Sequence, residues 1–361
     1  MTSLDSYITL GRSGLRVSPL ALGTMTFGED NGWGASRETS AAILDAYLDR
    51  GGNTIDTANT YTNGHAEKIV GDFFAARPGL RDRTVLSTKF FANLHPGDPN
   101  GGGAGRKAII SQLEESLRRL QTDYVDLYWL HGWDPRAPIE ETLRTLDDLV
   151  AAGRVRYVGF SNLPAWVTAQ AETIAQFRGW APVTALQLEY SLLERTSEGE
   201  LLPMAEALGL GVLPWSPLRG GQLSGKYVHN GGAPTDSPRA AMAAELTDAD
   251  WTIIDAVARV AAELGASSAE VALAWVRSRA AVSSTLIGAR TVEQLRANLA
   301  SLAISLTPDH LAALDAVSTP SLDFPAAINN GPGPILGFGG ATIDGVERPV
   351  WPLLLNNAAR Y

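Results

Sequence analysis

Four polar side chains in the first 131 residues have the types and spacing of a proton-transfer site: Asp56, Tyr61, Lys89 and His131. A free phenol has a pKa of about 10 and donates its proton slowly near neutrality, but a neighbouring cation stabilises the phenolate and lowers that pKa. Lys89 can supply this cation and Asp56 can hold it, because a buried ammonium needs a partner. His131 can add a hydrogen bond to a substrate carbonyl. The pattern therefore indicates acid catalysis by Tyr61.

Each of these side chains lies at or near the end of a short apolar run, and such runs recur along the chain. Nearly continuous apolar runs are typical of strands in a sheet that is covered on both faces. We predict eight such strands, at Leu20–Gly23, Asn53–Asp56, Thr84–Ser87, Val125–Leu130, Val155–Phe160, Val183–Leu188, Gly211–Pro214 and Ser284–Ile287. Amphipathic stretches with capping signals predict helices between them, at Ser36–Asp49, Arg106–Leu120, Pro138–Ala151, Asp248–Leu264 and Thr291–Leu299.

Alternating strands and helices imply a parallel sheet with right-handed crossovers. Eight units favour a closed (β/α)8 TIM barrel, whose chemistry lies at the carboxyl ends of its strands. An open Rossmann-type sheet is the alternative, and it calls for a G-x-G-x-x-G turn after the first strand. The chain instead continues from Leu20 as Leu-Ala-Leu-Gly-Thr-Met-Thr-Phe-Gly, without that turn.

Three segments fall outside the strand–helix repeat. Tyr7–Leu10 and Leu15–Ser18 predict an N-terminal β-hairpin that closes the lower end of the barrel. Ser216–Leu246, after the seventh strand, is a long loop of the kind that often binds ligands. We therefore predict one barrel domain over residues 1–319 and a C-terminal extension over residues 320–361 that packs on it.

Composition excludes several classes of function. The 361 residues contain no cysteine, which excludes disulfides, thiolate zinc sites and a cysteine nucleophile. A net charge of −10 argues against a nucleic-acid or anionic membrane partner. No apolar run reaches the length of a membrane span and the N-terminus has no signal-peptide pattern, so we expect a cytoplasmic protein. The five histidines lack metal-ligand spacing, so we expect no metal.

The four polar residues, in their order and spacing, resemble the Asp-Tyr-Lys-His tetrad of the aldo-keto reductase superfamily. The resemblance covers roughly Tyr7 to Ser301 and includes Gly51–Ala58, Gly64–Gly71, Gly159–Asn162, Gln187–Ser191, Ser216–Leu218 with Gly220 and Gly221, and Gly288–Arg290. It implies an NADPH-dependent oxidoreductase on a TIM barrel that reduces a small aldehyde or ketone, such as a sugar or aryl carbonyl, to an alcohol.

The same resemblance implies which residues bind NADP(H). Ser161, Asn162 and Gln187 would hold the nicotinamide carboxamide, and Trp215 stands where the family usually stacks a tyrosine on the ring. Arg290 would bind a 2′-phosphate and favour NADP over NAD, although Ala297 replaces an acidic residue and loosens the adenine contact. The full implied set is Gly23, Thr24, Asp56, Ser161, Asn162, Gln187, Trp215, Ser216, Pro217, Leu218, Gly220, Gln222, Lys226, Ile287, Gly288, Ala289, Arg290, Gln294 and Asn298.

The substrate pocket and the reaction type leave alternatives open. Trp33, Phe90 and Trp133 follow the first, third and fourth strands and are candidates for the pocket wall. A barrel that binds NADPH as a sensor or regulatory subunit would share the same motifs. A Schiff-base aldolase would use Lys89 as a nucleophile, but it requires that amine to be unpaired. A metal-dependent hydrolase is the weakest alternative.

Overall fold

A computed structural model describes residues 3–227 and 245–355 of the chain. The middle of the predicted loop Ser216–Leu246 lies outside the described residues, as do the first two and last six residues of the chain.

Eight parallel strands form one sheet that closes on itself. The last of these eight strands pairs with the first. The barrel closes between the seventh and eighth strands, where the Ser283 amide donates a hydrogen bond to the Val212 carbonyl at 2.9 Å. The predicted (β/α)8 barrel is therefore confirmed. Its strands are β3 (Leu20–Gly23), β4 (Thr54–Asp56), β5 (Val85–Phe90), β6 (Val125–Leu130), β7 (Val155–Ser161), β8 (Val183–Glu189), β9 (Gly211–Trp215) and β10 (Thr285–Gly288).

Helices surround the barrel and bury their apolar faces against it. They are α1 (Arg37–Leu48), α2 (His65–Ala75), α3 (Arg106–Leu120), α4 (Ile139–Ala151), α5 (Ala165–Arg178), α6 (Leu201–Leu208), α7 (Asp248–Leu264), α8 (Ser268–Arg277), α9 (Val292–Ala300) and α10 (Pro308–Ser318). The five predicted helices are confirmed, and three of them begin at a side-chain cap, which is Ser36 for α1, Thr247 for α7 and Thr291 for α9. The Ser36 side chain accepts a hydrogen bond from the amide of Thr39, and Thr247 forms a capping box with Asp250.

The interior of the barrel is a packed apolar core that is closed at one end by the N-terminal hairpin. The hairpin consists of β1 (Ile8–Thr9) and β2 (Arg16–Val17), which are shorter than predicted. Leu10, next to β1, is fully buried with Trp129 and Leu213 in the barrel core. The Arg12 amide also donates a hydrogen bond to Gly209, which precedes β9. The hairpin therefore covers the amino ends of the strands and leaves the opposite end as the mouth.

The chain beyond α10 runs along the mouth before it continues over the surface. Leu322 and Ala326 lie beside Gly199, in the loop after β8. The later elements are α11 (Ala326–Asn330), α12 (Pro332–Phe338), β11 (Thr342–Ile343), β12 (Val346–Glu347) and α13 (Pro352–Leu355). We propose that residues beyond 319 are an extension packed on the barrel, because residues 320–355 contribute no strand to the barrel sheet and Leu322 and Ala326 lie beside the loop after β8.

Close packing of α2 against α3 makes Gly71 a test of this architecture. A Cβ atom at Gly71 would lie 2.2 Å from the Arg119 carbonyl oxygen, which belongs to the backbone and cannot rotate away. We expect Gly71→Ala to lower the free energy of unfolding by about 1–3 kcal/mol, measured by urea denaturation. Gly337→Ala is the matched control, because this helical glycine has nothing within 4 Å of an added Cβ. Equal stability of the two variants would contradict the close α2–α3 contact at Gly71.

Candidate active site

Three neighbouring strands bring the four predicted polar residues together at the mouth. Asp56 ends β4, Lys89 lies in β5, and His131 directly follows β6. The Lys89 ammonium contacts the Asp56 carboxylate and donates hydrogen bonds to the Thr57 carbonyl and the Tyr61 hydroxyl, both at 2.9 Å. Lys89 is fully buried and Asp56 is 2% exposed. The structure therefore places an ammonium between a carboxylate and a phenol, as the spacing predicted.

Tyr61 reaches Lys89 because the chain turns sharply after β4. Residues Tyr61–Gly64 form a short 3-10 turn in which Thr62 and Asn63 adopt left-handed backbone angles, with φ of 46° and 54°. Thr62 stabilises this turn, since its hydroxyl donates to the Phe27 carbonyl at 3.1 Å and accepts from the Ala66 amide at 3.0 Å. These two bonds compensate for backbone strain of the kind often found at functional sites.

The second Asp56 oxygen is also occupied by protein groups. The Ser87 hydroxyl donates to it at 2.6 Å, and the Gln187 side-chain amide donates to it at 3.1 Å. Together with the contact from Lys89, these hydrogen bonds occupy both carboxylate oxygens and fix the orientation of the Asp56 side chain beside Lys89. Gln187 uses its amide nitrogen here, which leaves its carbonyl oxygen available to a ligand.

The surroundings raise the pKa of Lys89 and lower the pKa of His131. Burial alone lowers the pKa of Lys89, but the charge of Asp56, followed by Tyr61, outweighs it and raises the pKa above its ordinary value. Burial and the Lys89 charge both act against protonation of His131 and lower its pKa to about 3. The site therefore contains a charged ammonium and a neutral imidazole near pH 7, and the rings of Tyr61 and His131 meet edge to face at 6.2 Å.

The tetrad opens into a cavity of about 490 Å³, which we call the mouth cavity. Of the predicted residues, Gly23, Trp33, Asp56, Tyr61, His131, Asn162, Gln187, Trp215, Ser216, Ile287 and Gly288 line it. Sequence reasoning missed Met25, Asn31 and Thr26, which line the same cavity. Their position in the loop that follows β3, at the mouth, was the signal that could have identified them.

A second cavity of about 380 Å³ lies beside the mouth cavity, and we call it the basic cavity. Lys226 and Arg290 line it, and none of its described lining residues is acidic. The other predicted cofactor residues in its wall are Ser216, Pro217, Leu218, Gly220, Ile287, Gly288, Ala289, Gln294 and Asn298. Sequence reasoning missed Tyr227 and Ser267, the N-cap of α8, because their positions in the wall depend on distant packing.

Asn162 links the mouth cavity to the predicted ring-stacking residue. Its amide nitrogen donates to the His131 carbonyl and to the Ser161 hydroxyl, both at 3.0 Å. Its carbonyl oxygen accepts a hydrogen bond from the Trp215 indole at 3.3 Å. Asn162 also has a left-handed φ of 61°, so both its backbone and its side chain are constrained. A tyrosine hydroxyl lies at the far end of its ring, whereas the indole N–H lies beside the ring fusion, so the tryptophan makes this contact possible.

The structure corrects the prediction for Phe90. This residue is fully buried, and its ring packs 4.7 Å from that of Tyr128 in the layer between strands and helices. β5 continues to residue 90, past the predicted end at Ser87, and successive side chains in a strand point to opposite faces. Since Lys89 faces the barrel interior, Phe90 must face the helices and cannot line the substrate pocket.

Four other predicted residues lie away from the mouth and basic cavities. Thr24, Ser161 and Gln222 are buried and line neither cavity. The Thr24 hydroxyl donates to the Asp56 main-chain carbonyl at 3.1 Å and so helps to hold the backbone of Asp56 in place. Trp133 lines a third, neighbouring cavity and meets Trp166 edge to face at 5.8 Å.

The described residues include no group of three histidine, aspartate or glutamate side chains arranged to hold a metal ion. Within the same residues, no helix is long and apolar enough to cross a membrane.

Comparison with known proteins assigns these features to one family. The model of the Aldo/keto reductase family matches residues 19–319. An "Uncharacterized oxidoreductase YrpG" of Bacillus subtilis is 40% identical over 318 residues, which cover 86% of this chain and 94% of the relative. A "Norsolorinic acid reductase stcV" of Emericella nidulans is 36% identical, covering 87% and 82%. A "Probable aryl-alcohol dehydrogenase AAD4" of Saccharomyces cerevisiae is 35% identical, covering 80% and 91%.

The low pKa of His131 predicts how stability changes with pH. In the unfolded chain a histidine takes up a proton as the pH falls through 6.5, whereas folded His131 stays neutral until about pH 3, so stability is lost between these values. We expect His131→Gln to lose about 2 kcal/mol less than the wild type when the pH falls from about 7.5 to about 5. Urea denaturation at both pH values measures this difference.

His95→Gln controls for the loss of an imidazole as such, because His95 is an exposed histidine outside the site. If His131→Gln and the wild type lost the same stability on acidification, the neutral buried imidazole would be contradicted.

Proposed function

Because the chain belongs to the aldo/keto reductase family, we propose that it is an NADP(H)-dependent oxidoreductase that interconverts a small aldehyde or ketone and its alcohol. The observation that carries this proposal is the buried Lys89 ammonium, held between Asp56 and the Tyr61 hydroxyl at the wall of the mouth cavity.

In this mechanism Tyr61 is the general acid. Its hydroxyl gives a proton to the carbonyl oxygen of the substrate, and Lys89 stabilises the phenolate that remains. Asp56 keeps Lys89 in place and charged. In the oxidative direction the Tyr61 phenolate takes the proton back from the alcohol.

His131 orients and polarises the carbonyl oxygen. A neutral imidazole can donate one hydrogen bond from a ring N–H, and the low pKa of His131 prevents it from competing with Tyr61 as the proton donor. Hydrogen-bond donors fixed in a partly buried site stabilise developing negative charge on oxygen without reorganisation. The nicotinamide cofactor, when bound, supplies the hydride.

The basic cavity fits the phosphates of a dinucleotide. Arg290 and Lys226 line it, and neither has an ion-pair partner among the residues described. Arg290 begins the turn into α9, and the hydrogen bond from its amide to the Gln294 side chain at 2.8 Å fixes that turn. An unpaired guanidinium is suited to a 2′-phosphate because it can make two charge-assisted hydrogen bonds. This supports NADP over NAD, despite Ala297.

The mouth cavity fits the nicotinamide end of the same molecule. The free carbonyl oxygen of Gln187 and the remaining lone pair of the Asn162 side-chain carbonyl can accept hydrogen bonds from a carboxamide, and the Trp215 indole offers a stacking surface. We assign Ser161 a supporting role, because its buried hydroxyl accepts a hydrogen bond from Asn162.

Aryl carbonyl compounds are the substrate class we favour over sugars. One of the relatives described above is named a probable aryl-alcohol dehydrogenase. Trp33 and Met25 also give the mouth cavity apolar surface on which an aromatic ring can pack.

A Schiff-base aldolase is disfavoured by the state of Lys89. A nucleophilic lysine must be neutral, but contact with Asp56 raises the pKa of Lys89 and keeps the amine charged.

Tyr61→Phe tests the proposed acid. We expect this variant to lose reductase activity by about 10²–10⁴-fold, because the proton donor is removed while the ring stays in place. NADPH oxidation against an aryl aldehyde measures the loss, and quenching of tryptophan fluorescence by NADPH measures binding, which should be retained. Full turnover by the variant would refute Tyr61 as the acid. A wild type that binds NADPH but turns over no carbonyl compound would favour a sensor.

Arg290→Gln tests the proposed contact with the 2′-phosphate. We expect the Kd for NADPH to rise about 10–100-fold while the Kd for NADH is unchanged, because only NADPH carries that phosphate. Arg296→Gln is the matched control, since Arg296 is exposed on α9, the helix that Arg290 precedes, and lines no part of the basic cavity. Equal weakening for both dinucleotides would contradict the assignment.

A further inference from the structure

A third cavity, of about 800 Å³, adjoins the mouth cavity, and we call it the acidic cavity. The two cavities share Asn162 and Trp215 as lining residues. Three aromatic side chains contribute to the wall of the acidic cavity, those of Trp133, Trp215 and Phe324. Most of its remaining wall comes from three segments, which are the loop between β7 and α5, the end of β8 with the loop that follows it, and the chain just after α10. It is therefore positioned to receive the part of a substrate that extends beyond the tetrad.

Negative charge dominates this cavity. Glu189, Glu194, Glu200 and Asp323 line it, and no lysine, arginine or histidine is among its described lining residues. Arg219 lies beside it and contacts Glu189 at 2.5 Å and Glu194 at 3.7 Å. Glu200 and Asp323 have no ion-pair partner in the described part of the chain. Carboxylates therefore exceed cations around the acidic cavity, the reverse of the basic cavity.

An unpartnered hydroxyl points independently to a ligand. Ser197 lines the acidic cavity and is only 8% exposed. Its oxygen has no hydrogen-bond partner among the described residues. Buried hydroxyl groups are normally satisfied, so this one calls for a partner that the protein itself does not provide.

The two walls of the acidic cavity are joined by a partly buried network. Arg195, only 6% exposed, donates to Glu198 in its own loop and, at 3.0 Å and 2.7 Å, to Asp315 and Ser318 of α10. Asp315 also accepts from Arg279 at 2.6 Å. Arg195 therefore ties the loop that carries Glu194, Ser197 and Glu200 to the helix that leads to Asp323 and Phe324, and the cavity is fixed before a ligand enters.

We propose that the acidic cavity binds an organic ammonium group on the distal part of the carbonyl substrate, and that it disfavours substrates with a distal carboxylate. The inference rests on the proposed function, since the reacting carbonyl lies at Tyr61 and His131. Aromatic faces attract a cation through their quadrupole, and the surplus carboxylates attract it over a longer range. The same carboxylates repel an anion, which gives discrimination by charge at equal size.

Three aldehydes that share one aromatic framework and differ in the charge of one substituent test this inference. They are biphenyl-4-carbaldehydes with trimethylammonium, tert-butyl or carboxylate at the 4′ position, and the first two groups are nearly equal in size. We expect kcat/KM to be highest for the ammonium compound, about tenfold above the tert-butyl compound, and lowest for the carboxylate. The ammonium preference should shrink as ionic strength rises from about 0.01 M to about 1 M, because the screening length falls from about 30 Å to about 3 Å.

The double variant Glu200→Gln/Asp323→Asn assigns the preference to this cavity. We expect it to lower the ammonium-to-tert-butyl ratio of kcat/KM by about three- to tenfold, because the tert-butyl group carries no charge for these carboxylates to attract. Glu114→Gln/Asp123→Asn is the matched control, since it removes the same charge from two exposed positions outside the acidic cavity. This control should keep the wild-type ratio.

Each remaining outcome overturns one identified statement. If the tert-butyl compound is reduced but the ammonium compound is not preferred, or if both double variants change the ratio equally, the inference about the acidic cavity is wrong. If simple aldehydes are reduced but none of the biphenyl compounds is, the cavity does not receive a distal group and the inference is again wrong. If no carbonyl compound is reduced, the proposed function fails and the inference fails with it.

Discussion

The ion pair between Asp56 and Lys89 is the contact on which the rest of the site depends. Both groups are almost completely buried, and removing two charges from water is costly unless their hydrogen bonds are satisfied. Ser87, Gln187, Thr57 and Tyr61 satisfy them. Because each of these partners must approach within hydrogen-bond distance, the pair fixes the spacing of the strand ends and the position of the phenol. The charge of Lys89 also favours a neutral His131.

The surroundings of this pair are electrically asymmetric. Lys226 and Arg290 line one flank of the mouth, while Glu189, Glu194, Glu200 and Asp323 line the other. Trp215 and Asn162 stand between the acidic cavity and the tetrad, joined by an indole-to-amide hydrogen bond. An anionic dinucleotide and a differently charged substrate can therefore reach the same tetrad from two different cavities. The acidic net charge of the whole chain conceals this arrangement, because the sum does not record where the charges lie.

Patterns over short stretches of the sequence were sufficient to predict the barrel, five of its helices and the tetrad. The spacing of apolar residues and the capping residues predicted the barrel and five of its helices, because strand and helix periodicity are local properties. The tetrad could be predicted as well, since its members lie close to recognisable strand ends and the fold brings such ends together. Phe90 shows the limit of this reasoning. The strand ran further than its apolar run indicated, and this extension put the side chain on the opposite face.

The sequence by itself therefore determined the barrel, the four residues of the tetrad and the basic residues beside it. Only the tertiary structure decided which side chains share a cavity. Glu200 and Asp323 are far apart in the chain, and nothing local relates them until Arg195 joins their two segments through Asp315 and Ser318. Trp133, expected beside the tetrad, faces the acidic cavity for the same reason. Periodicity specifies an element and its buried face, whereas contacts between distant loops depend on how all the elements pack together.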